Sequence, residues 1–237
     1  MIKFFRKIRQ NLIMENKTSK YFKYAIGEII LVVIGILIAL SINNWNEARK
    51  SQVFEEEILT QVQANLIKDK LSLEDISLNF KKAITSSNKI LESAWSQQDK
   101  DSLQFWLANV IMFDRFQPLT NAYEVLKSKG LDQIKNKELR FLLGSYYDDQ
   151  VYHAIKSIGD VEETFKNDWI PIMRAEVLDM KFKTYVILRD IKLFSEESMA
   201  RNILRINRDN FNGGKIRIDN TIKTIDEIQD IITKELN

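Results

Sequence analysis

The chain contains one long apolar segment, residues 24–42, which reads YAIGEIILVVIGILIALSI and holds a single ionisable residue, Glu28. The hydrocarbon core of a bilayer is about 30 Å thick and an α-helix rises about 1.5 Å per residue, so about 20 apolar residues span it. The segment has nineteen residues, and no other segment of that length is as apolar. The sequence therefore predicts a single-pass membrane protein with a transmembrane helix over residues 24–42.

Charge is distributed unevenly about this segment. Residues 1–42 hold seven basic and two acidic residues, whereas residues 43–237 hold 28 basic and 31 acidic residues. Positive charge beside a transmembrane helix favours the cytoplasmic side of the membrane. We therefore expect the N-terminus in the cytoplasm and residues 43–237 across the membrane, which in a bacterium means an inner-membrane helix with a periplasmic domain.

The first 23 residues predict a second contact with the lipid bilayer. Apolar residues recur there at roughly helical spacing, with basic residues between them. This pattern is typical of an amphipathic helix in the membrane interface. An ordinary basic leader without a structural role is the alternative. The expected interface anchors are Arg6, Lys7, Arg9, Lys20, Lys23 and, after the transmembrane helix, Trp45. Nucleic acid is not an expected partner, because the remainder of the chain is acidic.

A cleaved signal peptide is an alternative to a permanent anchor. Ala39-Leu40-Ser41 has the small-x-small form that signal peptidase accepts. The apolar core of a signal peptide usually has about 7 to 15 residues, which is shorter than this segment. The length of the apolar segment and the 23 residues before it favour an uncleaved signal-anchor.

Three small residues mark a candidate packing face of the transmembrane helix. Gly35 and Ala39 are four residues apart, and Gly27 precedes Gly35 by eight residues, which places all three near one face. Small residues let two helix backbones approach closely in a membrane. The stripe predicts a homo-oligomer or a complex with another membrane protein, although small residues are also common in transmembrane helices that do not associate.

Glu28 is the one acidic residue within the apolar segment. An acid at mid-membrane is unfavourable by about 3 kcal/mol, and by less near the interface. Glu28 lies one turn from Tyr24, so one interpretation is an interfacial acid that is protonated or paired with Lys20, Lys23 or Arg9. The other interpretation is a functional acid that faces a partner helix and handles a proton or a basic group.

Three stretches carry a family resemblance: MIKFFRKIRQ at residues 1–10, SKYFKYAIGEIILVVIGILIALSINNWNE at 19–47, and NAYEVLKSKGLDQIKNKELRFLLGSYY at 121–147. In these stretches the chain resembles a domain-of-unknown-function family of bacterial single-pass membrane proteins. Members share a basic N-terminus, the Ala-Ile-Gly-Glu opening of the transmembrane helix and an Asn-Asn-Trp exit. The resemblance implies membrane anchoring and a helical extramembrane domain, and it implies no activity. Roughly the last seventy residues carry no motif of this family.

The composition of residues 43–237 is that of one helical domain, since the whole chain has only seven Gly and two Pro. We therefore predict an all-α fold with an amphipathic segment over 1–23, a transmembrane helix over 24–42, and a multi-helix extramembrane bundle over 43–237. Residues 45–69 are expected to continue the transmembrane helix outward, and a second helix is expected over 71–97. A third helix is expected to start at a cap, Asp99 or Asp101, and to end at Phe113, before a break at Pro118.

Further capping residues outline the second half of the domain. Thr120 or Asn121 is expected to cap a helix that Gly130 ends, and Asn136 to cap a helix over 137–167. A helix over 169–181 and a strand or loop over 182–188 follow. A capping box from Ser195 to Ser198 predicts a helix to Asn210, and Asn212-Gly213-Gly214 predicts a loop. Recurrent isoleucines in the last helix, 216–236, fit either a coiled-coil seam between subunits or a core-facing helix.

Residues for catalysis are scarce in this chain. It has no cysteine and one histidine, His153, and it lacks Gly-x-Ser-x-Gly, Walker and dinucleotide-binding glycine patterns. Adjacent acids such as Asp148 and Asp149 point in different directions from a helix. Aromatic clusters in a helical domain are typical of core. We therefore expect no enzymatic activity, no cofactor and no metal site.

Three functional hypotheses remain open at this point. The first is a non-enzymatic membrane-anchored scaffold or an accessory subunit of a bacterial envelope assembly. The second is a single-pass sensor or regulator whose periplasmic domain binds a ligand or a protein. The third is a subunit of a proton-driven or transport complex that uses Glu28. The sequence does not identify a small-molecule ligand.

Overall fold

The computed structural model describes residues 18–92 and 95–236, without the side chains of residues 18–21, 24 and 97. The chain divides into two compact units, one that ends at Phe54 and one that begins at Glu55, and each is described by itself. Most of the predicted amphipathic helix, including Arg6, Lys7 and Arg9, lies outside the described residues. The side chain of Lys20 does so as well.

One helix, α1, runs from Thr18 to Leu91 and contains the whole apolar segment. The expected continuation of the transmembrane helix through residues 45–69 is confirmed, whereas the separate second helix expected over 71–97 is wrong. No glycine or proline occurs between Gly35 and Pro118, so the backbone lacks a residue that would end the helix near residue 70. In the first unit, the side chains of residues 29–50 are all exposed.

In the second unit, α2 covers Gln97–Val110 and starts with a capping box. The Ser96 hydroxyl accepts a bond from the Asp99 amide at 3.2 Å, and the Asp99 carboxylate accepts one from the Ser96 amide at 2.8 Å. Asp99 was expected to be the cap itself, but it is the third residue of the helix. The helix ends at Val110, earlier than the predicted Phe113, and an extended segment leads through Pro118 to α3.

Helix α3, Asn121–Lys129, ends as predicted at Gly130, whose φ of 104° is a conformation that favours glycine. A 3₁₀ turn over Leu131–Gln133 follows. Asn136 then caps α4, Lys137–Gly144, by accepting a bond from the Leu139 amide at 3.0 Å, as expected. Thr120 makes no side-chain capping bond.

Two π-helical turns interrupt the long helical stretch after Asn136. The order is α4, a π turn over Ser145–Gln150, α5 over Val151–Thr164, a second π turn over Phe165–Trp169, and α6 over Ile170–Glu176. The helical stretch predicted to cover 137–167 therefore extends further, to Glu176. The helix predicted over 169–181 is helical only to Glu176 and continues directly from the second π turn, so its separate start and its end at 181 are wrong.

A small antiparallel hairpin follows α6. Its strands are β1, Val177–Lys181, and β2, Tyr185–Leu188, with Met180 paired to Val186. Residues 182–188, for which a strand or a loop was predicted, thus contain a strand. In the turn, Lys183 adopts a positive φ of 58°.

The chain closes with α7, Lys192–Ser195, and α8, Met199–Leu236. Ser198 caps α8 by accepting a bond from the Arg201 amide at 3.2 Å, so the capping box predicted to begin at Ser195 is wrong. The loop predicted at Asn212-Gly213-Gly214 is also wrong, since these residues lie inside α8. Helices hold 83% of the described residues, which confirms the all-α prediction apart from the hairpin.

The core of the second unit is organised by α8 and the part of α1 after Phe54. Buried residues recur in both helices at alternating steps of four and three, which is the spacing of a coiled-coil seam. In α1 they are Glu55, Leu59, Val62, Leu66, Asp69, Leu73, Ile76, Phe80, Ala83, Ser87 and Ile90. In α8 they are Ala200, Leu204, Asn207, Phe211, Gly214, Ile218, Thr221, Ile225, Ile228 and Ile232.

Hydrogen bonds beside the seam show that the two helices are antiparallel. Gln63 bonds to Thr233 at 3.1 Å, Lys70 to Asp226 at 2.5 Å, and Ser77 to Asp219 at 2.6 Å. Each step of seven residues forward in α1 is a step of seven backward in α8. The isoleucines of the last helix therefore face the core of their own chain, which was one of the two interpretations of their spacing.

A second apolar cluster lies around the hairpin. The ring centres of Trp169 and Phe194 are 6.1 Å apart, and both side chains are buried with Leu107, Val186 and Leu204. This cluster packs β2 against α2 and α8. The hairpin is thereby fixed to the helical core although only two strands form it.

Candidate functional site

The first candidate site is the apolar segment of α1. An 18-residue window in this helix has a mean hydropathy of 2.8, and none of the window is buried in the protein. Among the described residues it is the single helix that is long and apolar enough to cross a membrane, by length and composition. A core helix of equal length would be covered by its neighbours. The segment is thus compatible with a membrane anchor.

The predicted residues of this segment lie on an uncovered helix. The space within 4 Å of a Cβ built at Gly27 or Gly35 is open, and Ala39 is exposed. Glu28 is half-buried, while Lys23 and Trp45 are exposed. The assignments of Gly27, Gly35 and Ala39 to packing, of Glu28 to function, and of Lys23 and Trp45 to the interface stay predictions.

The second candidate site is a buried polar cluster in the helical domain, centred on Asp69. This side chain is 2% exposed and occupies a seam position of α1. Its carboxylate accepts a bond from the Tyr146 hydroxyl at 2.7 Å and bonds from the Leu119 amide at 3.0 and 3.3 Å. One carboxylate therefore ties α1 to the segment after Pro118 and to the first π turn.

Tyrosines surround this carboxylate. The rings of Tyr123 and Tyr147 stack with their centres 4.3 Å apart and their planes 9° apart, and Tyr146 meets Tyr147 edge-on at 4.6 Å. The Tyr123 hydroxyl donates to Asp148 at 2.7 Å, and Lys127 donates to the same carboxylate at 2.8 Å. The Tyr147 hydroxyl is buried and has no hydrogen-bond partner among the described residues.

Burial controls the ionisation of this cluster. It raises the pKa of the Asp69 carboxyl, and the bonds from Tyr146 and Leu119 oppose that rise. Burial, followed by the nearby Asp69 charge, raises the pKa values of the Tyr146 and Tyr147 hydroxyls far above the usual range. The phenols therefore stay protonated donors. At Asp148, the bond from Lys127 lowers the pKa of the carboxyl, although partial burial opposes this effect.

The π turn over Ser145–Gln150 supplies side chains to two parts of the cluster, the part around Asp69 and the part around Tyr123. A π turn adds one residue to a helical turn and changes the direction of the following side chains, and such turns are frequent at functional sites. Tyr146 and Tyr147 are both buried, and the next residue, Asp148, reaches Tyr123 on α3. Chemically the arrangement holds protonated donors against carboxylates, which fixes three segments in place.

Comparison with known proteins places the chain in a family. The sequence profile of DUF6090, described as a family of unknown function, matches residues 28–169, which is more than half of the chain. The chain belongs to the DUF6090 family. This confirms the resemblance to a domain-of-unknown-function family. No curated protein and no solved structure matches the chain.

The DUF6090 match begins at Glu28 and ends at Trp169, the last residue of the second π turn. It therefore includes most of the apolar segment and the whole Asp69 cluster. The hairpin and α8 lie beyond the DUF6090 match, in the part of the chain where no motif of the family was recognised.

Sequence reasoning missed the role of Asp69. A signal was present, since Asp69 falls three residues after Leu66 and four before Leu73, on the apolar stripe of α1. An acid at a seam position requires buried partners. Of the aromatic residues expected in the core, Tyr146 and Tyr147 are buried, whereas Phe105, Phe141 and Tyr152 are exposed, so for these three the prediction is wrong. His153 is exposed on the surface, 3.4 Å from Asp149.

Proposed function

We propose that this protein is a non-enzymatic, membrane-anchored scaffold or accessory subunit of an envelope assembly in the bacterial inner membrane. The observation that carries the proposal is the uncovered apolar segment. Twelve large apolar side chains between Ile26 and Ile42 are exposed. Moving each from water to an apolar surrounding is favourable by on the order of 1 kcal/mol. A lipid bilayer, with or without a partner helix, meets this requirement.

The proposed topology has the N-terminus in the cytoplasm and the helical domain in the periplasm. It is supported by the seven basic residues of 1–42 against two acidic ones. The chain has no cysteine, so one introduced cysteine is the single target of a thiol reagent. We expect a membrane-impermeant maleimide to label Ser51→Cys in intact spheroplasts and Ser19→Cys only after permeabilisation. The reverse pattern would show that the topology is wrong.

The proposed assembly uses the stripe of Gly27, Gly35 and Ala39. Open space beside both glycines supports this choice, because a second helix can approach there. The partner is a second copy of this chain or the transmembrane helix of another membrane protein. The domain then positions that partner in the envelope.

The assembly is tested on the intact protein, purified in mild detergent from its native membrane without overexpression. We expect either a homo-oligomer or stoichiometric co-purification of another membrane protein. Gly35→Leu should weaken the complex, whereas Ile34→Leu, which changes shape but adds no volume on the adjacent face, should leave it intact. A monomer without a partner would contradict the scaffold role.

Glu28 supports a second candidate function, a subunit of a proton-driven or transport complex. The supporting observation is a carboxyl group at the start of an apolar segment. Glu28→Gln keeps the shape and removes the charge. Loss of the partner complex's activity with assembly intact would favour proton handling, whereas unchanged activity would argue against it.

A further inference from the structure

A basic groove lies between the second-unit part of α1 and helix α2. Its cavity beside Trp106 has a volume of about 340 Å³. Cavities of roughly 300 to 1,000 Å³ hold small-molecule ligands. The groove is lined by Leu78, Lys81, Lys82, Thr85, Ser86, Lys89, Trp106 and Asn109. None of these residues belongs to the Asp69 cluster.

Positive charge in the groove is not balanced by carboxylates. Within the described part of the chain, the cavity beside Trp106 is lined by Lys81, Lys82 and Lys89 and by no carboxylate. Of these three lysines, Lys89 also acts on a carboxylate elsewhere, since after the bonds from Ser96 its charge helps to lower the pKa of Asp99. Other lysines of the domain form ion pairs with acids, and examples are Lys70 with Asp226, Lys127 with Asp148, Lys166 with Glu162 and Lys215 with Asp219. Residues 43–237 carry more acidic than basic residues. Three lysines and no carboxylate around one cavity are therefore a local departure from the charge of the domain.

The groove also has polar groups and an aromatic wall already in place. The Lys89 ammonium lies 5.1 Å from the centre of the Trp106 ring, a distance typical of a cation–π contact. The Asn109 amide donates to the Ser86 hydroxyl at 3.0 Å, which leaves the hydroxyl proton of Ser86 as a donor. Ser86 is 4% exposed. The floor of the groove is thus fixed by packing.

A smaller cavity continues the groove past Lys82 and Asn109 to Lys183 in the hairpin turn. Here the charge is balanced, because Lys183 pairs with Asp114, which also accepts a bond from Asn79 at 3.1 Å. The turn holds Lys183 at a positive φ, a conformation uncommon for residues other than glycine. The uncompensated charge of the groove therefore lies at Lys81 and Lys82, while Lys89 also acts on Asp99.

We propose that this groove binds a phosphate ester on a small polyol. The lysines hold the phosphate oxygens through charge-assisted hydrogen bonds. Ser86 offers a neutral donor, and Trp106 with Leu78 contacts the carbon face of the ligand. The ligand source is either a soluble phosphate ester or the headgroup of an anionic lipid, since both offer the same chemistry. The inference does not depend on the scaffold role, because ligand binding is measured without reference to assembly.

The test uses the full chain in nanodiscs of phosphatidylcholine, with glycerol 3-phosphate as the titrant and calorimetry as the readout. The variant is Lys81→Gln with Lys82→Gln, and the control is Lys137→Gln with Lys156→Gln, two exposed lysines elsewhere on the domain. Both variants lose the same net charge, and all four positions are exposed, so the fold is preserved. We expect the groove variant to bind glycerol 3-phosphate about tenfold more weakly than the wild type does. The control variant should bind it as tightly as the wild type.

The source of the ligand is tested by adding phosphatidylglycerol to the nanodiscs. Weaker binding of glycerol 3-phosphate would support the groove and assign it to a lipid headgroup, whereas unchanged binding would support it and assign a soluble ligand. Equal weakening in the groove variant and the control would overturn the proposal, because it would reveal an effect of net charge alone. Absence of binding to the wild type in phosphatidylcholine, with no difference between wild type and groove variant in phosphatidylglycerol, would also overturn it.

Discussion

The ring of Phe80 occupies the space in which a side chain at Gly214 would begin. A Cβ built on Gly214 would lie 2.7 Å from Cε2 of Phe80 and 3.6 Å from the Ser157 carbonyl oxygen. Phe80 is fully buried and meets Phe211 edge-on, with ring centres 5.0 Å apart. The ring therefore has little freedom to move. Gly214 lets α1 and α8 approach at this point of the seam.

This contact predicts that Gly214→Ala lowers the free energy of unfolding. Overpacking of a filled core typically costs about 1–3 kcal/mol. The adjacent Gly213 is exposed and has open space around it, so Gly213→Ala should raise stability by about 0.5–1 kcal/mol through helix propensity. Urea unfolding of the full chain in mild detergent, followed by tryptophan fluorescence, measures both. Equal effects of the two changes would contradict the close approach.

The same two glycines show where sequence reasoning fails. An Asn-Gly-Gly sequence is a strong local signal for a loop. Here the packing of α8 against α1 overrides this local preference, because buried residues flank the glycines on the same helix face. Position 214 requires a glycine because the Phe80 ring fills the adjacent space, and Phe80 is more than a hundred residues earlier in the chain. A local pattern does not contain that information.

Local chemistry did predict the features that depend on neighbouring residues alone. The Asn136 cap and the Gly130 helix end were predicted correctly, since each follows from residues within one or two turns. The buried role of Asp69 in the seam was not predicted, because its partners Leu119 and Tyr146 are remote in sequence. The lysines of the groove are visible as charges in the sequence, whereas the lack of carboxylates in the lining of their cavity depends on the fold.

Adjacent tyrosines on the first π turn provide a matched pair of variants. Tyr146 bonds to the buried Asp69, whereas the buried Tyr147 hydroxyl lacks a partner among the described residues. Tyr146→Phe leaves a buried carboxylate with one donor fewer, so we expect a loss of about 1–3 kcal/mol. Tyr147→Phe removes an unsatisfied polar group and should be neutral or slightly stabilising. Chemical unfolding at neutral pH compares them, and a larger loss for Tyr147→Phe would contradict the assigned bonds.

Asp69 should contribute a characteristic pH dependence. Its pKa is raised above the ordinary value of 3.8 because burial disfavours the carboxylate. A raised pKa in the folded state gives a contribution that is present below the unfolded pKa and is lost as the pH rises through the folded pKa. Asn at this position does not titrate. We expect the melting temperature of the wild type, minus that of Asp69→Asn, to fall as the pH rises from about 4.

Glu162 provides a control of opposite sign. Bonds from Arg115 and Lys166 lower the pKa of its carboxyl to about 2. A lowered pKa gives a contribution that is present above the unfolded pKa and is lost as the pH falls. The melting temperature of the wild type, minus that of Glu162→Gln, should therefore shrink as the pH falls below about 4.5. Slopes of the same sign for both residues would refute the assignment of burial as the dominant effect at Asp69.

Arg201 should stabilise the end of α1. Its guanidinium is buried and donates to the carbonyl oxygens of Ile90 at 3.1 Å, Leu91 at 2.9 Å and Phe194 at 2.7 Å. The last carbonyls of a helix have no partner within the helix, and a cation there is favoured by the helix dipole. One side chain from α8 thereby satisfies the ends of two other helices.

Arg201→Met keeps much of the side-chain volume and leaves three carbonyl oxygens, two of them in buried bonds, without this donor. We expect a loss of about 2–4 kcal/mol in the free energy of unfolding. Arg205 is the matched control, because it lies one turn further along α8 and pairs at the surface with Glu197 at 2.7 Å. Surface ion pairs contribute about 0–1 kcal/mol, so Arg205→Met should have a small effect. Hydrogen exchange adds a local readout: Arg201→Met should speed exchange in the last turns of α1, and unchanged exchange there would show that Arg201 does not cap this helix.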